Sequence, residues 1–363
     1  MKICFFGSSL VSCYWNGAAT YYRGLLRALA SLGHDISFYE PDAFGRQQHR
    51  DMDDPDWAEV VVYPATSDGW QGALETAART ADLLVKASGV GVFDTELEIA
   101  VPEACAERTV VVFWDVDAPA TLDAIGANPD HHLRHAIPRY DFVLTYGGGD
   151  PVVRAYKEFG ARLCAPIYNA VDPATHHPVP ARSEFRCDLS FLGNRLPDRE
   201  ARVDEFFLKA AALLPKREFL MGGAGWETKA LPGNVRLIGH VGTGHHNAFF
   251  CAGVATLNVN RESMARYGFS PPTRIFEAAG AGACIVSDAW EGIELFLEPG
   301  REILTAGNGE DVAAAVDRLT APTARRIGAA AQARILAQHT YRHRAEQVTD
   351  LLATASGTRE AAE

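Results

Sequence analysis

The sequence predicts an α/β fold made of two Rossmann-like, doubly wound domains. The chain opens as strand, helix, strand: Lys2 to Gly7 (KICFFG), Ala18 to Leu32, then Asp35 to Tyr39. A βαβ start points to a parallel sheet. Val110 to Trp114 (VVVFW) is apolar throughout, the composition of a strand covered on both faces. After a Pro- and His-rich stretch the pattern restarts, with strands expected at Cys187 to Leu192, Glu218 to Met221 and Val235 to Gly239.

Composition agrees with this. The chain has 363 residues, 47% hydrophobic and 22% charged, room for one large or two medium domains and too apolar for disorder. A net charge of −12 without a basic cluster speaks against nucleic-acid binding. The cysteines at 4, 13, 105, 164, 187, 251 and 284 form no CxxC pair and read as buried thiols in a reducing cytosol. Only four apolar residues follow Lys2, so no signal peptide is expected. No run approaches the ~20 apolar residues of a membrane span. A cytoplasmic protein is expected.

In the first helix Tyr22, Leu25, Leu26 and Leu29 recur at helical spacing, and Gly33 follows as its cap. The loop before it, Ser8 to Gly17, holds Asn16-Gly17 and lacks GxGxxG, so a dinucleotide fingerprint is absent. Phe44 to Trp57 reads as a solvated loop, with Gln47, His49 and Arg50 the side chains to watch. Strands are expected at Glu59 to Tyr63 and Leu83 to Lys86, with a helix at Gly72 to Ala78 between them.

The VVVFW strand ends in Asp115-Val116-Asp117-Ala118-Pro119. In open α/β sheets ligands bind beyond the carboxyl ends of strands, so both carboxylates are candidates for acid–base work. Asp117 is the first choice as general base; the competing role is N-cap of a helix starting near Pro119. Tyr140 to Tyr146 is another strand, running into Gly147-Gly148-Gly149-Asp150, where glycines allow close backbone approach. Ala170 to Pro180 reads as a linker. The doublets His131-His132, His176-His177 and His245-His246 lack His-Glu-x-x-His spacing and read as exposed loop histidines, with no metal expected.

In the second half, Gly193-Asn194-Arg195 opens the loop after a strand, a helix is expected from Arg199 to Leu214, and Gly222-Gly223-Ala224-Gly225-Trp226 forms a second glycine loop. Val254 to Val259 is a short strand ending in Asn260-Arg261-Glu262. A loop follows, then Pro271-Pro272-Thr273 at a helix start, Arg274 in its first turn, and Glu277. A helix N-terminus seats phosphate, and Arg274 adds a charge-assisted contact. Glu277, one turn on, shares its face and can accept both hydroxyls of a ribose. The bland alternative is a surface Arg274–Glu277 pair, common and weak. The chain closes in helices at Asp311 to Leu319, Pro322 to Gln338 and Tyr341 to Leu352.

The segment SPPTRIFEAAGAGACIVSD, with Glu291-Gly292-Ile293-Glu294, Pro299-Gly300 and His339-Thr340-Tyr341 beyond it, resembles the donor site of GT-B fold glycosyltransferases, most of all the CgeB-type (spore-maturation protein) group. The resemblance is strong over Asp188 to Val348. It implies two domains facing across a cleft: an N-terminal acceptor-side domain over 1–172 with a C-terminal crossover helix at about 341–356, a donor domain over 181–340, and a disordered tail over 357–363. It implies a metal-independent transfer of a sugar from a nucleotide-diphosphate donor to a small-molecule, glycan or protein acceptor. No cofactor is expected, and no nucleic-acid partner.

By resemblance Glu277 holds the ribose, Gly193 and Asn194 lie near the diphosphate, and Gly223 and Trp226 near the base. Trp226 is either a stacking surface or a core plug. Arg274, Arg261, Asn260 and Thr273 would contact diphosphate or sugar. Asn16, Gly17, Asp115, Tyr146 and Gly148 fall on the acceptor side. Asp115-Val116-Asp117 spells the DxD metal motif of the other glycosyltransferase fold, a match of three letters that the GT-B-like half argues against. Many retaining relatives carry an acid where this chain has Phe269, a departure that leans toward inversion. A sugar-nucleotide epimerase and a two-lobed binding protein are the alternative readings.

Overall fold

The computed structural model describes residues 1–360 except Trp15 and Glu107, with side chains described through residue 354. The chain divides into two units, Met1–Tyr168 with Tyr341–Glu363, and Asn169–Thr340.

The first unit is a seven-stranded sheet in the order β3-β2-β1-β4-β5-β6-β7. Its strands are β1 (Lys2–Phe6), β2 (Asp35–Asp42), β3 (Glu59–Pro64), β4 (Leu83–Ala87), β5 (Val110–Asp115), β6 (Phe142–Thr145) and β7 (Cys164–Pro166), all paired in parallel. The helices are α1 (Ala19–Ser31), α2 (Ser67–Thr80), α3 (Asp94–Ala104), α4 (Ala118–Ala127), α5 (Leu133–Ala136) and α6 (Gly149–Glu158). All six residues of β5 are buried, as its apolar run requires. Phe5 stacks on Phe38 and meets Tyr22 edge-on, which joins two strands to α1. Strand order reverses between β1 and β4, the topological switch point of this sheet.

The second unit has six parallel strands in the order β10-β9-β8-β11-β12-β13. They are β8 (Cys187–Leu192), β9 (Phe219–Gly222), β10 (Val235–Leu237), β11 (Gly253–Asn258), β12 (Ile285–Asp288) and β13 (Leu304–Ala306). The helices are α7 (Pro197–Val203), α8 (Lys209–Leu213), α9 (His246–Ala252), α10 (Glu262–Tyr267), α11 (Thr273–Gly280), α12 (Gly309–Arg318) and α13 (Ala321–Gln338). Leu189, Phe191, Phe207, Trp226, Leu257 and Val286 centre the core. Here the switch point lies between β8 and β11.

The last helix, α14 (Tyr341–Glu360), packs on α1 in the first unit. A Cβ on Gly24 would lie 2.1 Å from the Tyr341 ring, so glycine is what lets the two helices approach. The helix runs past residue 357, where the sequence predicts a tail; residues 361–363 lie outside those described. No helix among the described residues is long and apolar enough to cross a membrane.

Three local expectations change. The loop after Asn260 contains α10, a short helix closed by Gly268 at φ +69°. The Arg199 to Leu214 helix starts at Pro197 and carries a π-helical turn at Asp204–Leu208, which periodicity does not reveal. The Phe44 to Trp57 segment is solvated as expected except at Arg46, its one buried residue. Arg46 donates to the carbonyls of Ser8 and Val90, and Gln47 donates to buried Glu40, which pins it to the loop after β1.

Candidate functional site

A cluster of polar groups, two of them buried without a partner, lies at the switch point of the second sheet. The loop after β8 brings Gly193 and Asn194, the loop after β11 brings Asn260 and Arg261, and the first turns of α7 and α11 bring Arg199 and Arg274. A Cβ added to Gly193 would sit 2.9 Å from Arg274 Nη2 and 3.1 Å from Arg199 Nη1. Two guanidinium groups therefore converge over one glycine.

Arg274 is held firmly. Its Nε donates to the Leu192 carbonyl at 2.6 Å and its Nη1 to Asn258 Oδ1 at 2.8 Å, and the guanidinium lies 5.4 Å from the centre of the Phe191 ring. It forms no pair with Glu277 among the described residues, so the surface-pair reading does not describe it. Burial, and after it the charge of Arg199, push Arg274 down to about 9. Arg199 is lowered too, by burial first and then by Arg261. Its Nε is buried without a hydrogen bond. Crowded cations are what an anionic ligand relieves.

Arg261 is ion-paired with Asp198. Asn260 is 1% exposed. Its backbone N–H donates to Asp288, and its side-chain oxygen accepts from Asn258, while its Nδ2 donor is buried without a partner. Asp288 is itself held by Arg202 at 2.7 Å, although burial raises its carboxyl. Asn194 fastens the two glycine loops, accepting from the Ala224 N–H at 3.0 Å. Gly223 is at φ +129° and a Cβ there would strike the Gly193 carbonyl at 2.1 Å. Trp226 is fully buried and its indole N–H donates to that same carbonyl at 2.8 Å; of the two roles weighed for it, this is the plug. Thr273 is the first residue of α11, where helix N–H groups point outward.

Glu277 lies one turn along α11, flanked by two histidines. His176 Nε2 is 3.8 Å from one carboxylate oxygen and His246 Nδ1 is 3.8 Å from the other. Burial lowers the His246 imidazole. The expectation of exposed loop histidines holds for His177 and His245 alone among these doublets; His176 is buried, and His131, His132 and His246 are partly so. His176 is drawn in by a turn capped by Asp172, and a capped turn leaves little trace in hydrophobic spacing.

The residues of the first unit expected on an acceptor side behave differently. Asn16 spends its side chain on the loop after β1, accepting from Ser8 and donating to the Ser9 and Ser12 carbonyls. Gly17 has open space around it. Asp115 is buried and accepts from Ser88, Thr121, Tyr156 and the Asp117 N–H; burial raises its carboxyl against those donors. Gly148 starts α6 at φ +93°, and a Cβ there would strike Val152 at 2.1 Å, so local packing alone requires the glycine. The Tyr146 ring lies 4.4 Å from that of Tyr21. Asp117 occupies the N-cap position of α4, yet its side chain makes no capping hydrogen bond.

Arg199 is the residue that sequence reasoning missed. Its signal was present: Pro197-Asp198-Arg199 repeats the spacing of Pro272-Thr273-Arg274, a proline at a helix start with arginine two residues on.

Residues 199–350 match the family described as Glycosyl transferase-like. No curated protein matches the chain significantly. Among solved structures, HepE of Anabaena in complex with UDP-glucose is 16% identical with a TM-score of 0.68, covering 98% of this chain and 100% of that one. Sucrose-phosphate synthase from Thermosynechococcus elongatus is 12% identical with a TM-score of 0.74, covering 99% and 100%. An α-glucosyltransferase in complex with UDP and a DNA 13-mer is 12% identical with a TM-score of 0.68, covering 97% and 99%. At such identities the likeness establishes the two-sheet GT-B fold.

Proposed function

We propose that this chain, a glycosyltransferase of the GT-B fold, binds the diphosphate of its nucleotide-sugar donor at the carboxyl edge of the second sheet, on Arg199 and Arg274. The observation that carries this is the pair of guanidinium groups over Gly193, unpaired with any carboxylate among the described residues. The orphaned Asn260 Nδ2 donor supports it. As the bond between the anomeric carbon and the diphosphate oxygen breaks, the electron pair stays on that oxygen. Arg274 and Arg199 offset the charge, the electrostatic work that dominates many transferases, in place of a metal ion. The N–H groups at the start of α11 add the positive end of a helix dipole. Glu277 anchors the ribose hydroxyls. An acceptor hydroxyl attacks the anomeric carbon and its proton passes to a base, for which Asp117 is the proposal.

Within the GT-B class we place the chain in the CgeB-type group, on the SPPTRIFEAAG segment. Its seven cysteines are all free thiols, which supports a reducing, cytoplasmic setting.

The test is a thermal-shift panel of UDP, GDP, ADP, CDP and dTDP, each with EDTA and with Mg²⁺. Ligand that binds only the native state stabilises it by mass action, about 2.7 kcal/mol at a hundredfold excess over Kd. One diphosphate raising the melting temperature in EDTA supports the reading and names the base. An equal rise in an Arg199→Met/Arg274→Ala protein, or no rise from any of the five, overturns it.

A further inference from the structure

Glu277 is not surrounded by the donors a lone carboxylate attracts. The His246 Nε2 lies 3.3 Å from the Val241 carbonyl. A carbonyl only accepts, so Nε2 carries the proton and Nδ1 presents a lone pair. That Nδ1 is buried, makes no hydrogen bond, and faces Glu277 Oε2 at 3.8 Å. On the other side, the Thr175 hydroxyl donates to the Asp172 carbonyl at 3.2 Å. It therefore accepts from His176 Nδ1 at 3.0 Å, which leaves His176 Nε2 as a second lone pair, 3.8 Å from Glu277 Oε1. Two imidazole lone pairs and a carboxylate converge with no hydrogen between them.

From this we infer that His176, His246 and Glu277 form a site for a divalent transition-metal ion of the Zn²⁺ class, whose binding withdraws Glu277 from the donor and inhibits transfer. Imidazole and carboxylate suit Zn²⁺ better than Mg²⁺ or Ca²⁺. The three ligand atoms all lie within 4.8 Å of one another. With Zn–N and Zn–O near 2.1 Å, two ligand atoms up to about 4.2 Å apart can share an ion. Both 3.8 Å contacts already qualify, and the widest pair needs to close by about 0.6 Å at most. Each histidine has its other nitrogen oriented by a carbonyl or hydroxyl, the arrangement that fixes metal-binding imidazoles.

The scaffold is firm. Asn247 donates to the Thr175 carbonyl at 2.8 Å. A Cβ on Gly280 would meet Val171 at 2.6 Å and the His176 carbonyl at 3.0 Å, so the His176 turn lies directly on α11. With three protein ligands, a tetrahedral Zn²⁺ keeps one position open for water or substrate.

The inhibitory half of this inference rests on Glu277 as ribose anchor; the binding half does not. The experiment is a titration of the metal-stripped full chain with Co²⁺, read by visible ligand-field bands, and with Zn²⁺, read by calorimetry. Loss of a ligand is expected to weaken affinity at least as much as loss of an outer-shell partner, about tenfold to a hundredfold, in His176→Gln, His246→Ala and Glu277→Gln. Circular dichroism establishes that each variant is folded. Should one fail to fold, protection of His176 and His246 from diethyl pyrocarbonate by Zn²⁺ is read in the native protein instead. Absent Co²⁺ bands and Zn²⁺ heat, unchanged affinity in the histidine variants, or no protection, overturns the site. With Zn²⁺ bound, UDP affinity should fall; unweakened UDP binding overturns the inhibitory half alone. UDP that fails to bind with or without Zn²⁺, beside an intact metal titration, counts against uridine diphosphate as the donor and leaves the metal site standing.

Discussion

The two sheets share a winding and differ in what they do with charge. At the carboxyl edge of the first sheet the buried ions are closed. Lys86 is fully buried and bonded to Asp94 at 2.8 Å, with Glu98 at 3.6 Å. Glu98 also meets His132 at 2.6 Å. Glu40 accepts from Ser9, Leu10 and Gln47, and Asp115 from four donors. At the edge of the second sheet, Arg199 and Arg274 stand together, and neither forms an ion pair with a carboxylate among the described residues, although Asp198, Glu277 and Asp288 act on them from further away. A charge closed by its own chain serves the fold, and its loss costs stability. A charge left open is repelled by its neighbour, and on the function proposed above its loss costs binding.

Asp117 can break this division, because it belongs to the first unit, at the N-cap position of α4, and is the proposed base. If it is the general base, Asp117→Asn lowers kcat by about 10²–10⁴ and leaves the calorimetric affinity for nucleoside diphosphate unchanged. An unchanged kcat would make the whole of this edge scaffold and move the base elsewhere.

Lys86 gives the largest effect on stability. Lys86→Met removes the cation that faces Asp94 and Glu98. The Asp94 side chain is 30% exposed, so the cost should sit at or below the low end of the about 3–5 kcal/mol of a fully buried pair. Urea unfolding at pH 7 measures it, with diphosphate affinity unaltered in the folded fraction. Acid sharpens the test. Burial raises the Asp94 carboxyl, but Lys86 and the Gly91 and Val90 N–H groups outweigh it and hold the carboxyl below its usual 3.8. A depressed carboxyl stabilises above 3.8 and loses that contribution as pH falls below it. In Lys86→Met the first opposing charge is gone, so the loss of stability below pH 4 should flatten.

These residues also show what is legible in a sequence. Strands β1, β5 and β8 stand out because apolar runs announce them. The helix start at Pro271-Pro272-Thr273-Arg274 is legible because backbone chemistry fixes where proline sits. Arg199 and the pair His176 and His246 are not, because their role depends on which side chains face them from 31 to 101 residues away along the chain. Loop position at a strand end suggests ligand contact for Asn16 and Gly148, yet the side chain of one is bonded within its own loop and the other starts α6. In the sequence Lys86 is only the end of an apolar strand. A buried lysine is rare, and hydrophobic spacing carries no sign of the acids that close it.

Arg274→Ala should separate the two kinds of charge in one protein. Loss of a preorganised donor to a departing oxyanion costs about 10²–10³ in turnover. Steady-state kinetics with the diphosphate sugar named by the thermal-shift panel gives the value. A fall in melting temperature with full turnover retained would place Arg274 among the closed, structural charges, as its bonds to Leu192 and Asn258 allow.

Arg199 yields the smallest effect and the most discriminating sign. Its buried Nε has no partner, and Arg261 and Arg274 crowd it, so the empty protein gains little from its charge. Arg199→Met keeps the packing volume of the stem, removes the orphaned donor and relieves the repulsion. The expected result is an equal or higher melting temperature without ligand, together with about tenfold weaker diphosphate binding, the equivalent of 1.4 kcal/mol. Stability and affinity then move in opposite directions on one substitution, which a purely structural arginine cannot do. A lower melting temperature with undiminished affinity would mean that Arg199 is closed within the fold, and the contrast between the two edges would reduce to Arg274 alone.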